Sequence, residues 1–305
     1  MKVAFDARAA SDPRGIGRYV RCLLAALRET AGEHTIVESH RPARGQLFHA
    51  PWIDGASLRS RVPQVVTVHD LVPLKRRSEY LRTGLRFRLR YLAVQRAERV
   101  IVPTRAVAED LTWLLDVPAE RIRVIGEAAA ACMRPRAAVE VAAVRERYGL
   151  PEDYLLWVGG LEHPDPRKRV AALARESRKL PLVLAGPAGR WARELPDVLL
   201  TGRLDDDELA AVYTGARALV FPSDDEGFGL PPVEALACGT PVAACDVPAL
   251  REVLGDRAAL VPVDDLAGLV AAAEAARRPA PLASTFSWED AARTTWAVYE
   301  ELVDR

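Results

Sequence analysis

The chain has 305 residues, half of them hydrophobic, and 42 basic side chains balance 42 acidic ones. This length and composition support two domains with full cores and exclude a disordered chain or a small disulfide-stapled scaffold. The zero net charge argues against general nucleic-acid affinity, and no apolar run approaches the ~20 residues that span a bilayer.

In chain order, short apolar runs alternate with helical patterns, the mark of βαβ units and parallel sheets. KVAFDAR already reads as a strand at the start, which argues against a cleaved leader. Cys22, Cys132, Cys238 and Cys245 show no C-x2-C spacing, so reduced thiols in a cytoplasmic protein are expected. A helix near 16–30 comes next, then the strands TIVE, QLFHA and QVVTVHD, a helix near 80–98, the strand RVIVPT, a helix near 105–115 and the strand RIRVIG. Residues 128–150 have a helical middle between prolines and read as a linker. The second block has the strands YLLWVG, LPLVLAG, DVLLTG, ALVFPS, PVAAC and ALVPV, with helices near 167–178, 205–214, 231–238, 248–254 and 265–277. Ser287 then caps a last helix whose Trp288, Ala292, Thr295, Tyr299 and Leu302 recur at helical spacing. The expected class is α/β, with domains over 1–135 and 136–286 and a C-terminal helix over 287–305.

EGFGLPPVE, residues 226–234, sets two carboxylates around a glycine-bearing turn that opens a helix, since Pro231 and Pro232 suit a first helical turn. The N–H groups of Phe228, Gly229 and Leu230 then lie at the positive end of that helix, which suits phosphate or sugar oxygens. Gly227 and Gly229 admit a ligand close to the backbone. In this layout Glu234 accepts from a ribose diol and Glu226 reaches the group beyond the phosphates, as in a site for a sugar nucleotide. A loop acid followed by a helix-capping acid is a second reading of the same spacing, and a glycosidase pair is a third.

GIGRY (15–19) opens the first helix, so Gly15 and Gly17 either bring N–H groups to a diphosphate or make a tight strand-to-helix turn. The lack of GxGxxG and of a Walker lysine disfavours a nicotinamide or P-loop site. Arg167 and Lys168, the latter one of only four lysines, offer positive charge to a diphosphate leaving group or form a solvated pair at a helix start. His69 follows the strand QVVTV, where open α/β sheets bind ligands, and Asp70 beside it is placed to orient the loop or an acceptor hydroxyl; a structural histidine is the other reading. His49 ends a further strand and reads as a support to the site.

Between Lys75 and Arg99, Leu81, Leu85, Leu89 and Leu92 recur at helical spacing, with Arg82, Arg86 and Arg90 one position on. The segment is either a core-facing helix with a solvated basic face or a surface for an anionic membrane or a lipid-diphosphate acceptor.

The stretch EGFGLPPVEALACGTPVAACDVPALREVLGD (226–256) resembles the signature of family-four retaining glycosyltransferases, the E-x7-E group with the GT-B fold. GIGRY, VVTVHDLVP (65–73), RVIVPT (99–104), YLLWVGGLE (154–162), PRK (166–168) and TGRLDDDELAAVY (201–213) occur in the family's order. The resemblance implies two Rossmann-like parallel-sheet domains facing a central cleft, with the last helix returning to the first domain. It implies retaining, metal-independent and cofactor-free transfer of a hexosyl group from a nucleotide-diphosphate sugar, GDP-mannose ahead of a UDP-hexose. The implied acceptor is a hydroxyl on a glycan, glycolipid or lipid-diphosphate sugar, bound mainly to the first domain, and the product would feed surface polysaccharide or glycolipid synthesis. Glu226, His69, Lys168 and Arg167 would carry the transfer. The amide at Gly15, with Gly17, would meet the distal phosphate, while Phe228, Gly229, Leu230 and Glu234 hold the sugar nucleotide. The backbone of Arg203 and Leu204 would meet the nucleobase. Relatives carry a further helix and strand between TIVE and QLFHA, so a trimmed acceptor domain is expected here, and a non-catalytic nucleotide-sugar-binding partner is the alternative reading. Gly160 and the HPD insertion (163–165) also depart from the family's phosphate loop.

Overall fold

The computed structural model describes residues 1–76, 85–280 and 286–303. It divides into two compact units, Met1–Glu127 with Phe286–Arg305, and Ala128–Thr285. The division falls ahead of residue 135 because Arg136 donates to the Cys132 carbonyl at 3.0 Å and to Asp207 Oδ1 at 2.6 Å, which ties this segment into the second unit.

In the first unit, β1 (Lys2–Phe5), β2 (Thr35–Glu38), β3 (Leu47–Ala50), β4 (Gln64–Thr67), β5 (Arg99–Val102) and β6 (Ile122–Val124) form a parallel sheet of order β2-β1-β3-β4-β5-β6. Its helices are α1 (Gly15–Glu29), α2 (Val72–Lys75), α3 (Leu85–Arg96) and α4 (Arg105–Leu115), with the C-terminal helix Trp288–Val303. Alternation along the strands feeds both faces. Val3, Phe5, Leu47, Val65 and Ile101 join α1 and the C-terminal helix in one cluster, while Ala4, Phe48, Val66, Val100 and Val102 join Tyr91, Val94, Val107 and Leu111 in another. Burial on both faces is why these strands read as unbroken apolar runs. The C-terminal helix starts where the Ser287 hydroxyl accepts from the Asp290 N–H at 3.0 Å. It buries Ala292, Thr295, Trp296, Tyr299 and Leu302, and Trp296 Nε1 donates to the Leu27 carbonyl at 3.2 Å. Each large apolar side chain so buried contributes roughly 1.5–3 kcal/mol, enough to hold the chain end on α1. The connections from β2 to β3 and from β3 to β4 carry only the 3-10 turns Pro42–Arg44 and Ile53–Gly55.

The second unit contains β7 (Leu155–Val158), β8 (Leu182–Ala185), β9 (Val198–Gly202), β10 (Ala218–Phe221), β11 (Val242–Cys245) and β12 (Ala259–Val261), all parallel, in the order β12-β11-β10-β7-β8-β9. Its helices are α5 (Ala138–Tyr148), α6 (Val170–Arg175), α7 (Arg190–Arg193), α8 (Asp206–Gly215), α9 (Leu230–Ala237), α10 (Pro248–Leu254) and α11 (Leu266–Ala275). The helix expected over 167–178 is split. Pro166–Lys168 form a 3-10 turn, and Arg169 at φ 50° separates it from α6.

In both sheets the strand order reverses once. Chain order runs outward in opposite directions from β7 and β10, and likewise from β1 and β3, so the loops leaving each pair diverge and open a crevice at the carboxyl ends of the strands. Cys238 and Cys245 are buried, Cys22 and Cys132 are half-buried, and none of the four forms a disulfide. Among the described residues, no helix is long and apolar enough to cross a membrane.

Candidate active site

The crevice of the second unit lies between the loops that leave β7 and β10, and it brings together Arg167 and Glu226. Arg167 Nη1 is 3.8 Å from Glu226 Oε2, with both side chains mostly shielded from solvent. Asp165 sets this geometry: its carboxylate accepts from the Arg167 N–H at 3.1 Å and lies 3.5 Å from Arg167 Nε. The Asp224 N–H donates to the Arg167 carbonyl at 3.1 Å, which joins the two loops. Lys168 follows on the 3-10 turn, its Nζ 5.8 Å from the centre of the buried Trp157 ring. The site therefore offers a guanidinium held between the carboxylates of Asp165 and Glu226, with an ammonium on the same turn, a set suited to an anion next to a hydroxylated group.

Gly229, at φ 90°, turns the chain into α9, and a Cβ there would lie 2.6 Å from Leu250 Cδ2. Phe228 and Leu230 bury their side chains on either side of it. Glu234 sits one turn into α9 and is only 3% exposed, with Oε2 accepting from the Tyr213 hydroxyl at 3.1 Å. The two acids thus occupy different environments, Glu226 beside Arg167 at the crevice and Glu234 on α9, buried against Tyr213. Arg203 and Leu204 leave the edge strand β9, two strands away from β7.

In the first unit, His69 is bonded through both ring nitrogens, to Glu127 Oε1 and to the Pro51 carbonyl, each at 3.0 Å. His49 is fully buried between the Tyr299 hydroxyl at 2.5 Å and Thr67 Oγ1 at 2.9 Å, and burial, aided by His69, pushes its pKa down to about 3. It is a neutral support that ties the C-terminal helix to the strand ends. Gly17 is explained by packing: a Cβ there would fall 1.9 Å from the Asp12 carbonyl oxygen, so the loop 9–12 closes against the first turn of α1. Gly15 is the first residue of α1 and is exposed.

The basic segment differs from its expected pattern. Leu81 and Arg82 lie outside the described residues, as do the side chains of Leu85 and Arg86. Leu89 and Leu92 are exposed, while Tyr91, Ala93, Val94 and Ala97 are buried. The sheet-facing stripe is therefore set by the smaller side chains of this helix and by Tyr91, and Arg90 pairs with Asp54 at 2.6 Å.

Glu127, Asp165 and Asp6 are passed over by the sequence reading. Glu127 ends the first unit at the tip of β6 and carries no motif of its own. Asp165 and Asp6 do carry a signal, because D-x-R occurs three times, at 6–8, 12–14 and 165–167. In each case the aspartate accepts from the arginine N–H, at 3.2, 2.8 and 3.1 Å respectively, and its side chain faces the guanidinium. The repeat is a local device that fixes an arginine side chain in a loop.

Residues 18–128 match the model of Glycosyltransferase Family 4, and residues 152–277 match that of Glycosyl transferases group 1. The chain is 31% identical over 316 residues to D-inositol 3-phosphate glycosyltransferase of Thermobispora bispora, covering 90% of this chain and 72% of that protein. It is 29% identical over 217 residues to the serotype-specific mannosyltransferase WbdA of Escherichia coli, covering 63% of this chain. The chain spans about a quarter of that relative, 26% of its length. Sucrose-phosphate synthase from Thermosynechococcus elongatus has the same fold, with a TM-score of 0.75 at 19% identity over 100% of this chain and 99% of that one. The two Rossmann-like units make this the GT-B fold class, and the chain belongs to glycosyltransferase family four.

Proposed function

We propose that the chain transfers a mannosyl group from a nucleotide-diphosphate mannose to an acceptor hydroxyl, with retention and without a metal ion, in the assembly of a surface polysaccharide or glycolipid. The observation that carries this reading is the Arg167–Glu226 pair at the strand-order reversal of the second unit. Arg167 and Lys168 stabilise the negative charge that develops on the departing diphosphate, the task a divalent ion performs elsewhere. Glu226 orients the sugar hydroxyls, and Glu234 binds the ribose from α9. The reaction uses no enzyme nucleophile: the acceptor oxygen attacks the anomeric carbon on the face the diphosphate leaves, and a phosphate oxygen takes the acceptor proton. The similarity to a mannosyltransferase supports mannose as the sugar.

Contact with an anionic membrane belongs to the same reading. Leu89 and Leu92 stand exposed on α3 beside Arg88 and Arg96, an apolar and basic face suited to a lipid interface. Sedimentation with anionic liposomes at low salt tests it, and loss on Leu89→Ser with Leu92→Ser is expected.

The decisive experiment incubates the protein with GDP-mannose and UDP-hexoses and an acceptor extract, in the presence of EDTA, and reads the anomeric configuration of the product by NMR. Retained configuration with undiminished rate is expected. An inverted product, or a melting temperature that no nucleoside diphosphate raises, overturns the reading. A ligand at about 100 times its dissociation constant should add roughly 2.7 kcal/mol.

A further inference from the structure

The reversal of strand order between β1 and β3 makes the carboxyl ends of these strands the ligand-facing crevice of the first unit. Asp6 directly follows β1 and is fully buried. Arg8 grips it through two edges of one fork, Nε to Oδ1 at 2.9 Å and Nη2 to Oδ2 at 2.6 Å, while the Arg8 N–H donates to Oδ1 at 3.2 Å. The same guanidinium lies over Trp52, two residues beyond β3, at 5.7 Å from the ring centroid. A Cβ at Gly55 would stand 3.0 Å from Asp6 Oδ2, so the backbone closes over the carboxylate from behind.

A buried carboxylate requires a cation, but it does not require that cation to remain accessible. The Arg8 side chain is nevertheless 57% exposed, held rigid by Asp6 on one edge and by an aromatic face beneath. Its Nη1 edge points away from the carboxylate it grips. Residues 6–21 also carry four arginines against two aspartates, a local excess of two positive charges in a chain of zero net charge. An arginine fixed in this way meets phosphate oxygens with little loss of side-chain freedom, which is the main cost of such a contact.

We propose that Arg8, backed by Trp52 and clamped by Asp6, binds a phosphate ester carried by the acceptor, and so selects phosphorylated acceptors over neutral ones. The proposal rests on the glycosyltransferase reading above. The phosphate can belong to a soluble sugar phosphate or to a lipid head group, and the chemistry at Arg8 is the same for both.

The test uses the full chain and two sugars that differ in charge, mannose 1-phosphate and methyl α-mannoside, with binding followed by calorimetry and by tryptophan fluorescence. A parallel arm uses phosphatidylcholine vesicles with and without hexadecyl phosphate. Wild type should bind one phosphate-bearing probe about tenfold or more tightly than its neutral counterpart, and Arg8→Gln should abolish that preference. Preference for mannose 1-phosphate assigns a soluble acceptor, and preference for the phosphate vesicles alone assigns a lipid head group. Equal binding of charged and neutral probes by wild type in both arms, or a preference that survives Arg8→Gln, overturns the proposal. Should Arg8→Gln fail to fold because Asp6 loses its partner, Arg8→Lys and Trp52→Ala take its place; each should shrink the preference severalfold, and an undiminished preference in both sinks the idea. The melting shift with GDP and UDP is read alongside. Its retention with failed probe discrimination removes only the Arg8 assignment, whereas its absence in wild type removes the glycosyltransferase reading itself.

Discussion

His69 and Glu127 form a buried pair in which the ring Nδ1 lies 3.0 Å from the carboxylate, while Nε2 lies 3.0 Å from the Pro51 carbonyl. A carboxylate and a carbonyl both accept, so this arrangement favours the doubly protonated imidazole. Burial on its own lowers the pKa of His69, and the Glu127 carboxylate, the Pro51 carbonyl and Asp70 outweigh it and raise the pKa above the ordinary histidine value. A raised folded pKa means that the pairing stabilises fully below the unfolded value of about 6.5, and that this stability is lost as pH climbs through the folded value. Glu127→Gln should therefore cost about 2 kcal/mol near pH 6 and much less near pH 9, read from urea melts. Equal losses at the two pH values would contradict the ion pair.

The two acids of 226–234 should separate in their effects. Glu226→Gln is expected to keep nucleotide affinity while losing most of the transfer, because its carboxylate faces the crevice beside Arg167. Glu234→Ala should weaken nucleoside-diphosphate binding about tenfold or more, the loss of a hydrogen bond to a charged group. Titration calorimetry that finds wild-type nucleotide affinity in Glu234→Ala would remove the ribose assignment.

Asp165 is a positioning residue for Arg167. Asp165→Ala deletes the acceptor for the Arg167 N–H and the carboxylate facing its Nε, a loss of about 1 kcal/mol in local order. The expected readout is a fall of about tenfold in kcat/KM for the donor, larger than the accompanying drop of only about 2–4 °C in melting temperature accounts for. Asp165→Asn, which keeps an acceptor oxygen for the N–H, should recover part of that activity; a merely structural aspartate would show the loss in stability instead.

Gly17→Ala tests the loop that carries Arg14. With the Asp12 carbonyl oxygen 1.9 Å from the new Cβ, backbone must move, and a destabilisation of roughly 1–3 kcal/mol is expected from urea unfolding. A neutral outcome would mean that loop 9–12 sits further from α1 than described.

Much of the fold is legible locally. Strands buried on both faces appear as apolar runs, and Ser287 with its spaced Trp288, Ala292, Thr295, Tyr299 and Leu302 announces the last helix, because local periodicity reports which side chains a single element must hide. The strand, glycine turn and prolines around 218–234 likewise place Glu226 in a loop and Glu234 on a helix before any long-range contact is known. The same local logic misjudges α3, where Leu89 and Leu92 fit a buried stripe by spacing alone yet stand exposed, since the sheet beneath admits Tyr91, Val94 and Ala97 instead.

What the tertiary structure alone decides is which loops become neighbours. Arg167 meets Glu226 and Arg8 meets Trp52 because each sheet reverses its strand order between the strands they follow, while His69 meets Glu127 across β5, from the ends of β4 and β6. Spacing along the chain carries no record of that order. It follows from pairing between segments far apart in sequence, where the burial of two complete sheet faces, rather than any local propensity, selects the arrangement.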